Sequence, residues 1–157
     1  MAIQVTADQL DVFAILRELT AEERASMSPL FKVETYPAGK VIFREGDPGN
    51  KIYFVFKGVV QIEKGVDETN TARLARLGRG EILGEISVMD KSPRTATVTA
   101  YVDCELLTLT TSQLDMILST HPRIAAKIFL GMAKSLSQRL RLADDEITQL
   151  TKRLYYF

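Results

Sequence analysis

The sequence predicts a mainly β chain: an antiparallel jelly-roll β-barrel (a double-stranded β-helix), with helices before it and a long helix after it. Three observations carry this reading. Between residues 32 and 109, short β-rich runs alternate with turn residues at intervals of about ten positions, the rhythm of a sandwich or barrel. No helical run separates them, so the strands cannot form a parallel sheet, whose crossovers are long. An antiparallel jelly roll closes such strands. On either side of this stretch, apolar residues fall at helical spacing instead of alternating.

Residues 1–30 read as a helical segment. Leu10, Phe13, Leu16 and Leu19 recur at spacing three. The run Thr20-Ala21-Glu22-Glu23 reads as a helix start, with Thr20 as cap and Glu23 completing a capping box. Two short helices joined at Thr20 are expected. Residues 31–110 are the expected barrel, with strands at 32–36, 40–43, 52–56, 59–63, 72–77, 95–101 and 105–109. Pro37-Ala38-Gly39, Glu45-Gly46-Asp47-Pro48-Gly49-Asn50, Lys57-Gly58, Gly65 to Asn70 and Gly78-Arg79-Gly80 punctuate them. Residues 111–157 return to helix. A short one covers 111–118, and His121-Pro122 marks a break and a restart, with Pro122 suited to a first helical turn. From there Leu136, Leu140, Ala143, Ile147, Leu150 and Leu154 advance in steps of four and three, the a/d pattern of a two-stranded coiled coil. The first half of this helix can pack on the barrel. The second half is expected to pair with another copy, making a homodimer.

Composition bounds the function. The 157 residues suit one domain with an appended helix, and 46% are hydrophobic, enough for a core. Lys plus Arg total 20 and Asp plus Glu total 20, which argues against nucleic acid as the main partner of this chain. The single cysteine, Cys104, allows no intrachain disulfide, and its strand-like neighbours suggest a buried structural thiol. With His121 the only histidine, a His-rich metal site is excluded, and haem or iron–sulfur ligation lacks ligands. No metal is expected, and no catalysis of the metal-dependent jelly-roll kind. The start, from Met1 to Thr6, has no basic n-region, and no run reaches the ~18 apolar residues of a membrane span. A soluble cytoplasmic protein without a membrane partner is expected.

The chemistry concentrates in Gly84-Glu85-Ile86-Ser87-Val88-Met89-Asp90-Lys91-Ser92-Pro93-Arg94-Thr95-Ala96-Thr97-Val98. A planar guanidinium can clamp two oxygens of a phosphodiester, and a carboxylate can accept from a sugar hydroxyl. Glycine lets backbone approach a ligand closely, and N–H groups at a helix start favour an anion. The stretch resembles the phosphate-binding cassette of cyclic nucleotide-binding domains, of the catabolite-activator and protein kinase A regulatory-subunit type. Tyr36-Pro37-Ala38-Gly39-Lys40-Val41-Ile42-Phe43-Arg44-Glu45-Gly46-Asp47 resembles the opening of that family's barrel, and Ile52-Tyr53-Phe54-Val55-Phe56-Lys57-Gly58-Val59-Val60 its next strand pair.

The resemblance covers about residues 30–150 and implies specific roles. Glu85 would accept from the ribose 2′-hydroxyl and Arg94 would clamp the phosphate. Ile86, Ser87 and Thr95 would present backbone N–H groups, and Gly84 would admit the sugar. The Thr95 hydroxyl could reach a phosphate oxygen or a syn guanine. Ile62 and Leu74 would form the apolar wall for the base. In the activator branch the C-terminal helix holds adenine with hydroxyl residues. Ala143 and Asp144 stand at the matching positions, a departure that leaves the base contact to the Asp144 carboxylate or to a solvated charge. Arg139, on the same helix, could reach Glu85 or the phosphate. The implied ligand is a 3′,5′-cyclic mononucleotide, cAMP favoured and cGMP open. The implied role is that of a non-catalytic receptor acting on an unidentified protein effector, its C-terminal helix moving on binding. The activator branch continues into a helix-turn-helix, which is absent from these 157 residues. A single-domain receptor, a sensor fragment of a regulator, kinase or channel, and an interaction module with a vestigial pocket all stay open.

Overall fold

The computed structural model describes residues 4–156. The first three residues of the N-terminal segment, and Phe157 at the end of the expected dimerisation helix, lie outside the described residues. The order of elements is α1 (Ala7–Leu10), a 3₁₀ turn (Ala14–Leu16), α2 (Ala21–Met27) and a second 3₁₀ turn (Ser28–Leu30). The strands follow: β1 (Lys32–Tyr36), β2 (Val41–Phe43), β3 (Lys51–Lys57), β4 (Val60–Gly65), β5 (Thr71–Leu77) and β6 (Ile82–Leu83). Next come α3 (Glu85–Asp90), β7 (Thr97–Ala100), β8 (Cys104–Thr110), α4 (Thr111–Thr120) and α5 (Pro122–Tyr155).

The eight strands form two four-stranded sheets, ordered β1-β8-β3-β6 and β2-β7-β4-β5, with every pairing antiparallel. This is the expected jelly roll. β3 reads as a continuous apolar run because both its faces are covered. Ile52 and Phe54 turn to the helices, and Tyr53 and Val55 turn into the barrel. Outside the first sheet, Phe54 makes edge-to-face contacts with Phe13 at 5.2 Å and Phe31 at 5.1 Å, the geometry that ring quadrupoles favour. Inside the barrel, Tyr53, Val55, Val60, Leu83, Val98 and Leu106 form a second core. Cys104 closes it as a buried thiol, its Sγ 3.1 Å from the carbonyl of Val102 and 3.3 Å from that of Val59.

The N-terminal segment departs from expectation in one respect. Thr20 caps α2 through the predicted capping box: its hydroxyl accepts from the Glu23 amide, and Glu23 accepts from the Thr20 amide. Before it, however, the four apolar residues lie on one short α-turn, a 3₁₀ turn and the links between them, all four buried. A strict spacing of three suits the 3₁₀ turn of three residues better than an α-helix. The tail follows the expected break and restart at His121-Pro122. Pro122 opens a single 34-residue helix, α5, whose first part packs on the N-terminal helices and whose last part, from Leu140, is exposed throughout. Among the described residues no helix is long and apolar enough to cross a membrane.

Candidate ligand cleft

The cassette is a strand, a tight turn and a short helix folded against the barrel mouth. β6 ends at Leu83, and Gly84 reverses the chain at φ 80°, in the left-handed region. Only glycine fits here. A Cβ on Gly84 would lie 2.5 Å from Arg94 Nη1 and 3.0 Å from the Lys51 carbonyl. The turn delivers Glu85 to the first position of α3, where it is 1% exposed. Burial pushes the Glu85 carboxyl above its usual range, offset in part by the Arg139 and Arg94 guanidiniums. Arg139, reaching over from α5, donates from Nη1 to Glu85 Oε1 at 2.7 Å and from Nη2 to the Ile82 carbonyl.

Arg94 is 4% exposed and is held from several sides. Its backbone amide donates to the Asp47 carbonyl and its carbonyl accepts from the Gly46 amide, both at 2.8 Å, so the loop between β2 and β3 fixes its main chain. Its Nη1 donates to the Gly84 carbonyl at 2.9 Å and its Nη2 to the Lys51 carbonyl at 2.8 Å. The guanidinium lies 4.2 Å from the centroid of the Phe43 ring, a cation–π contact. Burial draws the group below the usual arginine range, opposed by Tyr53, Glu85 and Asp47. Its Nε–H is buried and has no hydrogen-bond partner. Such an orphan on a charged group is costly unless something else accepts from it.

The residues that surround the cleft are Phe43, Ile62, Leu83, Gly84, Glu85, Ile86, Ser87, Arg94, Thr95, Ala96, Val98 and Arg139, around a volume of about 80 Å³. Eight of the ten residues anticipated from sequence are therefore brought together: Gly84, Glu85, Ile86, Ser87, Arg94, Thr95, Ile62 and Arg139. The Ser87 hydroxyl donates to the Pro93 carbonyl at 3.2 Å, so its side chain braces the cassette and leaves its N–H for other use. Two anticipated residues lie elsewhere. Leu74 is 56% exposed, because it is Ala75 that stands opposite Ile62 on the paired strand. Asp144 is exposed on α5, beyond the last contact that helix makes with the barrel. The sequence reading also missed Phe43 as a wall and stacking residue, and the carbonyls of Lys51 and Ile82 as acceptors. Gly49 was read only as a turn residue. In the fold its Cα packs on the cassette so closely that a Cβ would sit 2.3 Å from Ser87 Cβ. A larger open groove, about 480 Å³, lies beside Tyr36 and Cys104, but its Lys57 and Glu105 neutralise each other and it holds no orphaned polar group.

Comparison with known proteins agrees with this geometry. The family model described as "Cyclic nucleotide-binding domain" matches residues 33–121. This chain belongs to the cyclic nucleotide-binding domain family. It is 35% identical over 133 residues to the cyclic AMP receptor protein of Thermus thermophilus, covering 85% of this chain and 60% of that protein. It is 36% identical over 114 residues to a potassium channel protein of Rhodopseudomonas palustris, covering 73% of this chain and 27% of that protein. A crystal structure of a cyclic nucleotide-binding domain from Methylobacillus flagellatus KT shares the fold at TM-score 0.85 and 22% identity, covering 94% of this chain and 86% of that one. The chain thus spans less than two thirds of the curated relatives it matches.

Proposed function

We propose that this chain is a non-catalytic receptor for a 3′,5′-cyclic mononucleotide, with cAMP as the favoured ligand. The observation that carries the proposal is Arg94. A buried guanidinium with an orphaned Nε–H stands in the wall of the same cleft as a buried carboxylate, Glu85. A cyclic phosphodiester would satisfy the first and a ribose hydroxyl the second. Gly84, Ile86, Ser87 and Thr95 supply close backbone, and Ile62 with Phe43 supplies an apolar wall. The 35% identity to a cyclic AMP receptor protein favours adenine.

The output is a shift in α5, with signalling through a homodimer. The distal half of α5 exposes Leu140, Ile147, Leu150 and Leu154 at coiled-coil spacing, a stripe that a second copy would cover. Because the chain spans only part of its curated relatives, a second reading is that it serves as the sensor part of a larger regulator or channel. Both readings share the ligand.

Isothermal titration with cAMP and then cGMP, with AMP as control, tests the proposal. Micromolar or tighter binding of a cyclic form is expected, and Arg94→Ala should weaken it roughly 100-fold, since hydrogen bonds to charged groups contribute about 1.5–3 kcal/mol each. A folded protein that binds neither nucleotide would leave a barrel serving protein–protein contact.

A further inference from the structure

The Lys51 carbonyl is where the supports of the cleft meet. It accepts from Arg94 Nη2 at 2.8 Å, and it stands 3.0 Å from the place a Cβ on Gly84 would take. It therefore bounds both the guanidinium and the cassette turn. β3 begins at Lys51, which with Thr110 makes the end rung of the ladder to β8. Strand ends open more readily than strand centres. Here the side chain of the end residue is tied down. Lys51 Nζ donates to Glu34 Oε1 at 2.6 Å, reaching across β8 to β1. Glu34 also accepts from the Tyr36 hydroxyl at 2.6 Å and from the Thr108 hydroxyl on β8 at 3.4 Å. The Lys51 and Glu34 side chains are only 32% and 26% exposed, so water screens the pair incompletely. The hydrogen bond to Glu34 raises the Lys51 ammonium above its ordinary value, against burial and the nearby Arg94. Neither Glu34 nor the Lys51 side chain lines the cleft itself.

We propose that Glu34 is a positioning residue for the phosphate clamp: by holding the Lys51 side chain it fixes the Lys51 carbonyl, and through that carbonyl the orientation of Arg94. This rests on the receptor reading. A guanidinium binds a phosphate oxygen only through N–H groups aimed at it, and a supporting contact that is lost widens the range of directions they sample. Positioning differs from simple electrostatics in sign. Glu34 carries a negative charge in the support of a site for an anion. By Coulomb's law alone, removing that charge favours a bound phosphodiester, and removing the Lys51 charge disfavours it. Positioning requires both removals to weaken binding, because each breaks the same tie.

Titration of cAMP, or of cGMP where that binds more tightly, into the full chain and its variants decides the matter, at a temperature where circular dichroism shows each variant folded. Glu34→Gln should bind roughly three- to fivefold more weakly, about the most a part-exposed ion pair supplies. Lys51→Met should weaken binding by a similar factor. The double variant should be no weaker than the worse single one, because the two residues act as one tie. In an Arg94→Ala background, Glu34→Gln should change affinity less than twofold, since the group it positions is gone. Equal or tighter binding by Glu34→Gln, in a wild-type protein that binds, overturns the positioning role and leaves the receptor reading standing. So does an unchanged affinity in Lys51→Met. Persistence of the full loss in the Arg94→Ala background also overturns it, since a general loosening of the barrel would then be the cause. If wild type binds neither cyclic nucleotide, the receptor reading falls, and the positioning role with it.

Discussion

Arg94 is a buried cation held in place by the protein's own main chain. Two of its nitrogens are tied to main-chain carbonyls from separate elements, Gly84 and Lys51, and its flat face rests on Phe43. The remaining Nε–H is left for a partner. Gly84 is the residue on which this arrangement turns. Gly84→Ala would combine a strained positive φ with a Cβ pressed on Arg94, so cAMP affinity should fall at least about tenfold by titration, with far-UV circular dichroism unchanged. A second residue-scale expectation concerns Glu34. Burial raises its carboxyl, but hydrogen bonds from Lys51, Tyr36 and Thr108 outweigh that and hold it below its ordinary value. A depressed folded-state value means stabilisation that is present above the unfolded-state pKa and lost as pH falls through the folded-state one. Glu34→Gln should therefore melt below wild type at neutral pH, and the gap should narrow steadily under acid below the normal carboxylate range. A gap independent of pH would mean the ion pair with Lys51 is not its source.

Elements obey their local signals unevenly. The capping box at Thr20 and Glu23 starts α2 where the sequence places it, and Pro122 starts α5. The short pieces were illegible. β6 has two residues, too few to show a period, and α3 starts at a glycine with no capping side chain. Both exist because the barrel and Arg94 hold them. Leu74 illustrates a different failure. A strand presents alternate residues to opposite faces, and a one-residue change of register reverses the choice. β5 pairs with β4 through a register shift between Ile62 and Glu63, so Ala75 and not the larger Leu74 faces Ile62. An alignment to the family pattern that does not see this shift in register selects Leu74 instead. On α5, Gly131 is a packing requirement: Gly131→Ala would drive a methyl into the Ile15 backbone and should lower stability by about 1–3 kcal/mol, read as a lower Tm. An unchanged Tm would show that α5 can slide at this crossing.

At the scale of the whole molecule, the N-terminal helices and the first part of α5 share one core against the outer face of the β3 sheet, and α5 runs from there past the cleft into open solvent. Its distal half is held by nothing in the described chain, and Leu140, Ile147, Leu150 and Leu154 lie uncovered along it. Light scattering after size exclusion should give a dimer mass at tens of micromolar, by analogy with short coiled coils. Leu150→Glu should return the monomer with the barrel still folded. A monomeric wild type would move the partner for this stripe to another protein.

The sequence by itself determined the jelly roll, the flanking helices and the cassette, because turn residues, strand spacing and a run of specialised side chains are local signals. Six of the ten anticipated residues share one cleft because the cassette is contiguous along the chain, while Ile62 and Arg139 reach it from β4 and α5. Only the tertiary structure decided which β5 residue stands opposite Ile62, that Phe43 and the Lys51 and Ile82 carbonyls complete the cleft, and that Arg139 pairs with Glu85 while Asp144 stands clear. These depend on register across paired strands and on where a long helix crosses a distant turn at Gly131. Such distances are set by the packing of residues far apart in sequence, and no local pattern records them.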